Sequence, residues 1–431
     1  MNGRDEMSSN IYDELKWRGM IHDQIDGVEK LLKEKKVTLY NGFDPTADSL
    51  HVGHMVPLIA LARFQRYGHH VLALAGGGTC MIGDPSGRSA ERNLLSRDEV
   101  MHNVDCIKKQ LAHFLDFDVK DNPARIVNNM DWLGELSMLD FLRDTGKYFT
   151  INYMLSKDSV KNRMDRESGL SFTEFSYMLL QSYDFLHLHQ EMGCELQCGG
   201  SDQWGNITAG TDLIRKTTGD TVYGLTYPLI KKSDGTKFGK TAGGAVWLDP
   251  KRTSPYKFYQ FWLNTNDADV IHYLKFFTFL SEDEISALEA ETNERPESRA
   301  AQKQLASTMT LMMHGQTALD NAIQASQALF GGDISGLSAE DIEDVFSEVP
   351  AADMPADRFG GDGMNVVDVL TESGFLKSKG EARRGIQEGG VYVNNRRVTD
   401  SAMNVSISDF IEGRYLILRR GKKNYFMVKA N

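Results

Sequence analysis

A chain of 431 residues is longer than one hydrophobic core usually serves, so two or three domains are expected. Its 41% apolar content suits globular packing, but no apolar run reaches the ~18 residues of a membrane span and the opening MNGRDEMSSNIYDELKWRG lacks a signal peptide's core, so a cytoplasmic protein with no membrane partner is expected. A net charge of -12 excludes a chain that coats nucleic acid over its whole surface, yet residues 364–431 hold 12 Lys/Arg against 7 Asp/Glu, a local +5.

Short β-rich runs alternate with helical patterns over the first half: VTLY at 37–40, HVLALA at 70–75, RIVN at 125–128, CELQC at 194–198 and LTYPLI at 225–230. Such alternation predicts an α/β domain over 1–250, a parallel sheet wrapped by helices, with ligands beyond the carboxyl ends of the strands. Unusual residues follow those ends: NGFDPT, GGGTCMIGDPSG, GGSDQW and KKSDGTKFGKT. Residues 129–165 read as an insertion and a candidate oligomer contact. The pattern over 251–330 is helical. Residues 331–363, with nine acids and one base, read as an acidic linker carrying a short amphipathic turn, AEDIEDVF. The last 68 residues or so combine helical LTESGFLKSKGEARRGIQEGG with strand-like VYVNNRRV and YLILRRGKKNYFMV, a small α+β domain. The four cysteines, Cys80, Cys106, Cys194 and Cys198, form no CxxC pair, so reduced, partly buried thiols are expected. His187 and His189 ahead of Cys194 and Cys198 raise zinc, but their spacing matches no common site and no metal ligands are assigned.

Chemistry concentrates in a few stretches. In LYNGFDPTADSLHVGH, Asp48 or Ser49 is predicted to cap a helix starting at Leu50, with His51 and His54 in its first turn. Free N–H groups and the dipole there suit a triphosphate, which imidazole donors would reinforce. Gly53 would let a flat ring lie on the backbone. Metal binding and plain surface histidines are the other readings of H-x-G-H. Lys237, Lys240 and Thr241 lie in SDGTKFGKT, a loop able to close on a polyphosphate, or simply solvated. In SFTEFSYMLLQSYDFLHLHQ, an apolar and so buried helix, Tyr177, Gln181 and Asp184 form one polar stripe. They either satisfy one another or face a polar ligand. Asp84 in GDPSG and Asp202 in GGSDQW read as turn and cap residues, the paired glycines allowing close backbone approach.

HVGH and KFGKT, about 190 residues apart on a parallel-sheet domain, resemble the two signature motifs of class I aminoacyl-tRNA synthetases. YNGFDPTADSLHVGH, IGDPSGR, EFSYMLLQSYDF, GGSDQWGN and KFGKT together resemble the bacterial tyrosyl-tRNA synthetase family specifically. The likeness spans essentially the whole chain, and its end is similar to a small RNA-binding fold shared with a ribosomal protein. The resemblance implies a Rossmann-like catalytic domain, a helical anticodon-region domain and an RNA-binding domain over 364–431. It also implies activation of L-tyrosine by ATP with Mg2+, with no permanently bound cofactor, then transfer to the tyrosine tRNA.

By motif, Tyr40 and Asp184 would hold the phenolic hydroxyl, and Asp84, Tyr177 and Gln181 the ammonium end. Asp44 and Gln203 would lie near the carboxylate and adenylate, and Asp202 and Gly200 at the ribose. Gly42 would belong to the ATP site and Gly53 would lie under the adenine. His51, His54 and Thr46 would meet the phosphates, with Lys237, Lys240, Thr241, Arg88 and Arg92 gripping pyrophosphate. Lys377, Lys379, Arg383, Arg384, Arg396 and Arg397, extended by Arg419, Arg420, Lys422 and Lys423, would face tRNA phosphates. A homodimer and no editing domain are further implications, since a site built for a hydroxyl rejects phenylalanine; tyrosyl-tRNA synthetase is the standard example of that rejection.

Two departures stand out: Asn41 replaces a cysteine common in bacterial relatives, and the lysine loop carries Phe238, Gly239 and Thr241 in place of Met, Ser and Ser. The rival readings are an RNA-binding protein that has lost its chemistry, opposed by the intact motifs, and a nicotinamide-dependent oxidoreductase, opposed by the missing G-x-G-x-x-G.

Overall fold

The computed structural model describes residues 9–86, 94–164, 169–236, 238–241 and 244–431. The chain forms two compact units, one of residues 1–252 with 265–305 and one of residues 253–264 with 306–431.

The first unit is built on five parallel strands, β1 (Thr38–Phe43), β2 (His70–Ala75), β3 (Arg125–Asn128), β4 (Cys194–Gly200) and β5 (Tyr223–Tyr227), in the order β3-β2-β1-β4-β5. β2 and β3 fall where the apolar runs place them. β1 runs three residues further than expected, and β5 starts earlier and stops before Pro228, which has no N–H for the ladder. Residues 22–25 bond antiparallel to β5 through His22 N to Thr226 O, Thr226 N to Asp23 O and Ile25 N to Gly224 O, covering that sheet edge.

Strand order reverses between β1 and β4, and in open α/β sheets the crevice at such a switch point is the ligand site. Four helices bear on it: α1 (Met55–Arg66), α2 (Arg97–Leu111), α3 (Phe172–Met192) and α4 (Trp204–Thr217). α3 is capped by Ser171 and ends on Gly193 in the left-handed region, as its N-cap serine and following glycine dictate. The inserted stretch holds short helical pieces, among them Met130–Leu133, Met138–Asp140, Ile151–Leu155 and Asp158–Met164. Two more helices, α5 (Asp267–Phe277) and α6 (Glu282–Glu294), complete the unit. The last carbonyls of α5 are collected by buried guanidinium groups: Arg63 donates to Lys275 O, Phe276 O and Thr278 O, and Arg18 to Lys275 O, Thr278 O and Leu280 O. A hairpin of β6 (Lys240–Thr241) and β7 (Gly244–Ala245) follows the first sheet.

In the second unit the acidic stretch 331–363 is no linker. Ile334, Leu337, Ile342 and Phe346 are buried in one core with Ala325, Ala328, Tyr415, Ile417, Tyr425 and Met427. β8 (Ala351–Met354) joins β14 in parallel. The acids that suggested a linker occupy the outer face of amphipathic pieces such as Ala339–Val345, capped by Ser338.

The remaining strands are β9 (Met364–Asn365), β10 (Val391–Val393), β11 (Arg396–Arg397), β12 (Asn404–Val405), β13 (Tyr415–Arg420) and β14 (Asn424–Ala430), with the main sheet ordered β11-β10-β13-β14-β8. Side chains alternate across it: Leu416, Leu418 and Val428 face a core with Val367, Leu370 and Ile386, while Tyr415, Ile417, Tyr425 and Met427 face the other. Asn394 and Asn395, both at positive φ, make the tight β10–β11 turn. Asn395 also donates to Ala328 O and Gly332 O, each at 2.8 Å.

Candidate active site

The histidines do not sit in a helix that begins at Leu50. His51 is extended and bridges Trp247, with Leu248 N bonding Leu50 O at 2.8 Å and Val52 N bonding Val246 O at 2.9 Å. The Ser49 hydroxyl is occupied by Leu50 O, Gln110 and Asp249 N, and Asp48 pairs with Arg252. His51 itself caps the turn Val52–His54 that leads into α1. Its Nδ1 accepts from Gly53 N, and His54 Nδ1 accepts from His51 N, both at 3.1 Å. An accepting Nδ1 places the proton of a neutral imidazole on Nε2, so each ring presents an Nε2–H donor. The two rings stack at 4.0 Å. Gly53 is required here, since a Cβ would stand 2.8 Å from His51 Cε1.

The second motif lies against the first. Val246 N bonds Gly239 O at 3.1 Å, and a Cβ on Gly239 would stand 3.0 Å from Val52 Cγ2. Phe238 is buried, stacked on Phe277 at 5.4 Å and against Tyr273 at 5.1 Å, so the position held by Met in the generic motif is an apolar anchor. Lys240 is exposed on β6. Lys237, Arg88, Arg92 and the Thr241 side chain lie outside the described residues.

Beyond the carboxyl ends of β1 and β4 two polar networks line the crevice. In one, Tyr177 donates to Asp44 at 3.0 Å, Thr79 to Asp44 at 2.9 Å, and Asn129 to Thr79 and Asp184 at 2.9 Å each. Trp132 Nε1 completes it, donating to Asp184 at 2.8 Å. In the other, Asn206 donates to Gln181 at 3.0 Å and Gln203 at 3.2 Å, and Gln203 to Asp84 at 2.7 Å. Tyr177, Gln181 and Asp184 thus share a stripe without bonding one another; each is held by a different neighbour.

Asp184 is buried, and burial lifts its carboxyl to about 7, against the pull of Asn129 and Trp132. Tyr40 is 1% exposed, its phenol pushed up by burial and then by Asp184, and its hydroxyl has no partner among the described residues. A buried hydroxyl left unpaired costs about 1–3 kcal/mol, which a ligand hydroxyl would recover.

Asp44, placed by resemblance near the adenylate, already accepts from two hydroxyls. Gly76 permits this, since its Cβ would fall 2.1 Å from Asp44 Oδ1. Gly42, Thr46 and Gly53 are exposed at the mouth, and Asp202 folds onto Gly200, 2.5 Å from where a Cβ would stand. Asn41 is buried, donating to Gly42 O at 3.1 Å. Thr79, Asn129, Trp132 and Asn206 were missed. The signal was available: Asn129 and Trp132 follow the end of β3, the strand end left unread. His189 bonds Cys194 O and Asp220, and among the described residues no three His, Cys, Asp or Glu side chains converge as a metal site.

The model for tRNA synthetases class I (W and Y) matches residues 32–331, and that for the tyrosine–tRNA ligase SYY-like C-terminal domain matches residues 341–428. The chain is 56% identical over 421 residues to the tyrosine–tRNA ligase of Roseiflexus castenholzii, covering 98% of this chain and 99% of that one. The chain belongs to the class I tRNA synthetases, among the tyrosine–tRNA ligases. This synthetase is also 54% identical to tyrosine–tRNA ligase 1 of Bacillus subtilis, over 97% of its own length and 99% of that protein's. A C-terminally truncated mitochondrial tyrosyl-tRNA synthetase from Aspergillus nidulans shares the fold at 35% identity and a TM-score of 0.67, covering 74% of this chain and 94% of that one.

In the synthetase's second unit, Lys377, Lys379, Arg383, Arg384, Arg396 and Arg397 are exposed, Lys379 pairing with Asp368 at 2.6 Å. Arg419 does not extend that patch, whereas Arg420 keeps a partly exposed side chain. Arg419 is buried, stacked 3.7 Å over Tyr392 and bonded to Asn395 and Gly421 O, and Arg420 pairs with Glu381 at 2.5 Å.

Proposed function

We propose that the crevice at the β1/β4 switch point activates L-tyrosine with ATP, and that the second unit presents the tyrosine tRNA to be charged. The observation that carries this reading is the buried pair of Tyr40 and Asp184, one hydroxyl without a partner among the described residues beside one carboxylate that two donors hold. A phenol entering there meets both an acceptor and a hydroxyl. Phenylalanine would leave the Tyr40 hydroxyl unpaired and bring no third donor to the carboxylate.

The substrate carboxylate attacks the α-phosphorus in line, its C–O–P bond forming as the bond to pyrophosphate breaks. No protein nucleophile is needed, so positioning and charge stabilisation supply the catalysis. Asp84, Gln181 and Tyr177 hold the ammonium end, with Gln203 and Asp44 beside the forming adenylate and Asp202, Gly200, Gly42 and Gly53 around the nucleoside. The Nε2–H groups of His51 and His54, with Thr46, meet the phosphates, and Lys237, Lys240, Thr241, Arg88 and Arg92 take up charge on the leaving pyrophosphate. Magnesium enters with ATP as its counter-cation.

Exposed Met138, Leu139, Leu142, Ile151, Met164 and Phe172 in or beside the insertion form the contact of a homodimer, for large apolar side chains left in water mark an interface. The exposed arginines and lysines of 377–397 meet tRNA phosphates, and the protein works in the cytoplasm. Tyrosine-dependent ATP–pyrophosphate exchange tests the chemistry, with phenylalanine and tryptophan as controls and a Lys237→Ala/Lys240→Ala variant beside the wild type. Exchange with tyrosine alone, lost in the variant, is expected; no exchange from folded protein would leave an RNA-binding role.

A further inference from the structure

Trp247, Arg252 and Asp48 have no role in the chemistry described above, yet they are built onto the histidines. The Trp247 indole meets the His51 ring at 5.9 Å and 65°, while His51 stacks on His54 at 4.0 Å. The Arg252 guanidinium lies 4.7 Å over Trp247 and pairs with Asp48 at 2.5 Å. Backbone bonds on either side of Trp247, from Leu248 N to Leu50 O and from Val52 N to Val246 O, fix the register. The same segment runs back through β7 to the hairpin that carries Lys240. A continuous line of contacts runs through Asp48, Arg252, Trp247, His51 and His54, and Val246, the residue before Trp247, donates to Gly239 O of the second motif at 3.1 Å.

An imidazole held only by its Nδ1 hydrogen bond can still tilt about that bond. Stacking on one neighbour and an angled contact with another remove this freedom, and donors aimed at a transition state act only within a few tenths of an ångström. We propose that Trp247, braced by Arg252 and Asp48, is a positioning residue that sets the tilt of His51 and His54 and ties it to the lysine hairpin. The inference rests on the reading of those histidines as phosphate donors. The Arg252–Asp48 pair is about 40% exposed on each side, so it braces weakly, and the indole contributes most of the effect.

The test is a double-mutant cycle in tyrosine-dependent ATP–pyrophosphate exchange on the full chain: Trp247→Leu, Trp247→Phe, Arg252→Gln, His51→Ala, and His51→Ala combined with Trp247→Leu. Trp247→Leu is expected to lower kcat roughly 10–100-fold with the KM for tyrosine unchanged. Trp247→Phe should recover to within about 3-fold and Arg252→Gln should lose about 3-fold or less, and Trp247→Leu should cost nothing further once His51 is alanine. A full additive loss on the His51→Ala background overturns the proposal while the phosphate reading stands. A His51→Ala variant as fast as wild type removes that reading and the proposal with it. Thermal melts accompany every variant; should Trp247→Leu not fold, the smaller loss of Trp247→Phe must likewise vanish on the His51→Ala background, and its persistence counts against the proposal.

Discussion

In the role proposed for Asp184, a single buried carboxylate links specificity to stability. Its folded value of about 7 lies above the ordinary 3.8, so the folded protein binds that proton more tightly than the unfolded chain. Its contribution to stability is therefore fully present below about pH 4 and is lost as pH rises through about 7. A bound phenol that donates to the carboxylate reverses part of this loss. Scanning calorimetry of the ligand-free protein should show a larger fall in Tm from pH 5 to pH 8 in the wild type than in Asp184→Asn, and added tyrosine should narrow it only in the wild type. The thiols make a second residue-scale case. Cys194 and Cys198 are buried and pushed up by burial, Cys198 to about 12, and Cys80 is also buried, whereas Cys106 is partly exposed. Thiolate, not thiol, reacts with a disulfide reagent. Native protein should titrate one thiol rapidly, and all four only after denaturation.

At the scale of elements, the end of α5 depends on charge that is far away in sequence. Arg63 is 1% exposed and holds three carbonyls there, with burial pushing its guanidinium down. Arg63→Met should cost about 1–3 kcal/mol, because it strands the Phe276 carbonyl, the one of the three that Arg18 does not also reach. Urea unfolding would show this as a lower midpoint at unchanged slope; a variant as stable as the wild type would make the carbonyl cap idle. Element positions were legible where a pattern is local, as for β2, β3 and α3, whereas the strand expected at 225–230 ends before Pro228, a local signal that was passed over. The start of α1 was not legible. Asp48 and Ser49 are good capping residues, but residues 246–248 claim the backbone of 50–52 first, and no local signal announces a partner about 200 residues away.

For the whole molecule, the two-unit division changes what a truncation would do. The sequence alone suggests that removing residues 364–431 spares adenylate formation and cripples aminoacylation. The described crevice residues do lie in the first unit, so pyrophosphate exchange should persist within about 3-fold while tRNA charging falls by ~100-fold or more, the loss expected when several phosphate contacts go. The cut also removes β9 to β14, and with them Tyr415, Ile417, Tyr425 and Met427, a third of the core that buries Ile334, Leu337, Ile342 and Phe346. The shortened protein should therefore bind a hydrophobic dye and aggregate on warming, which deletion of a true linker's far side would not cause. Sedimentation of wild type against Leu139→Glu, on an exposed part of the insertion, reports on the dimer; an unchanged dimer in that variant would move the contact elsewhere.

By itself the sequence determined the parallel sheet, from alternating apolar runs, and the polar stripe of Tyr177, Gln181 and Asp184, from helical spacing; the phosphate roles of HVGH and KFGKT and the pairing of Tyr40 with Asp184 are what its resemblance to the family implies. Only the tertiary structure decided who holds those residues. It brought Asn129 and Trp132 to Asp184, Asn206 to Gln181 and Gln203, and Trp247 to His51, and it turned an acidic stretch into part of a core and Arg419 into a stacking residue. Hydrogen-bond partners and shared cores are set by contacts between distant segments, which composition and periodicity along the chain do not encode.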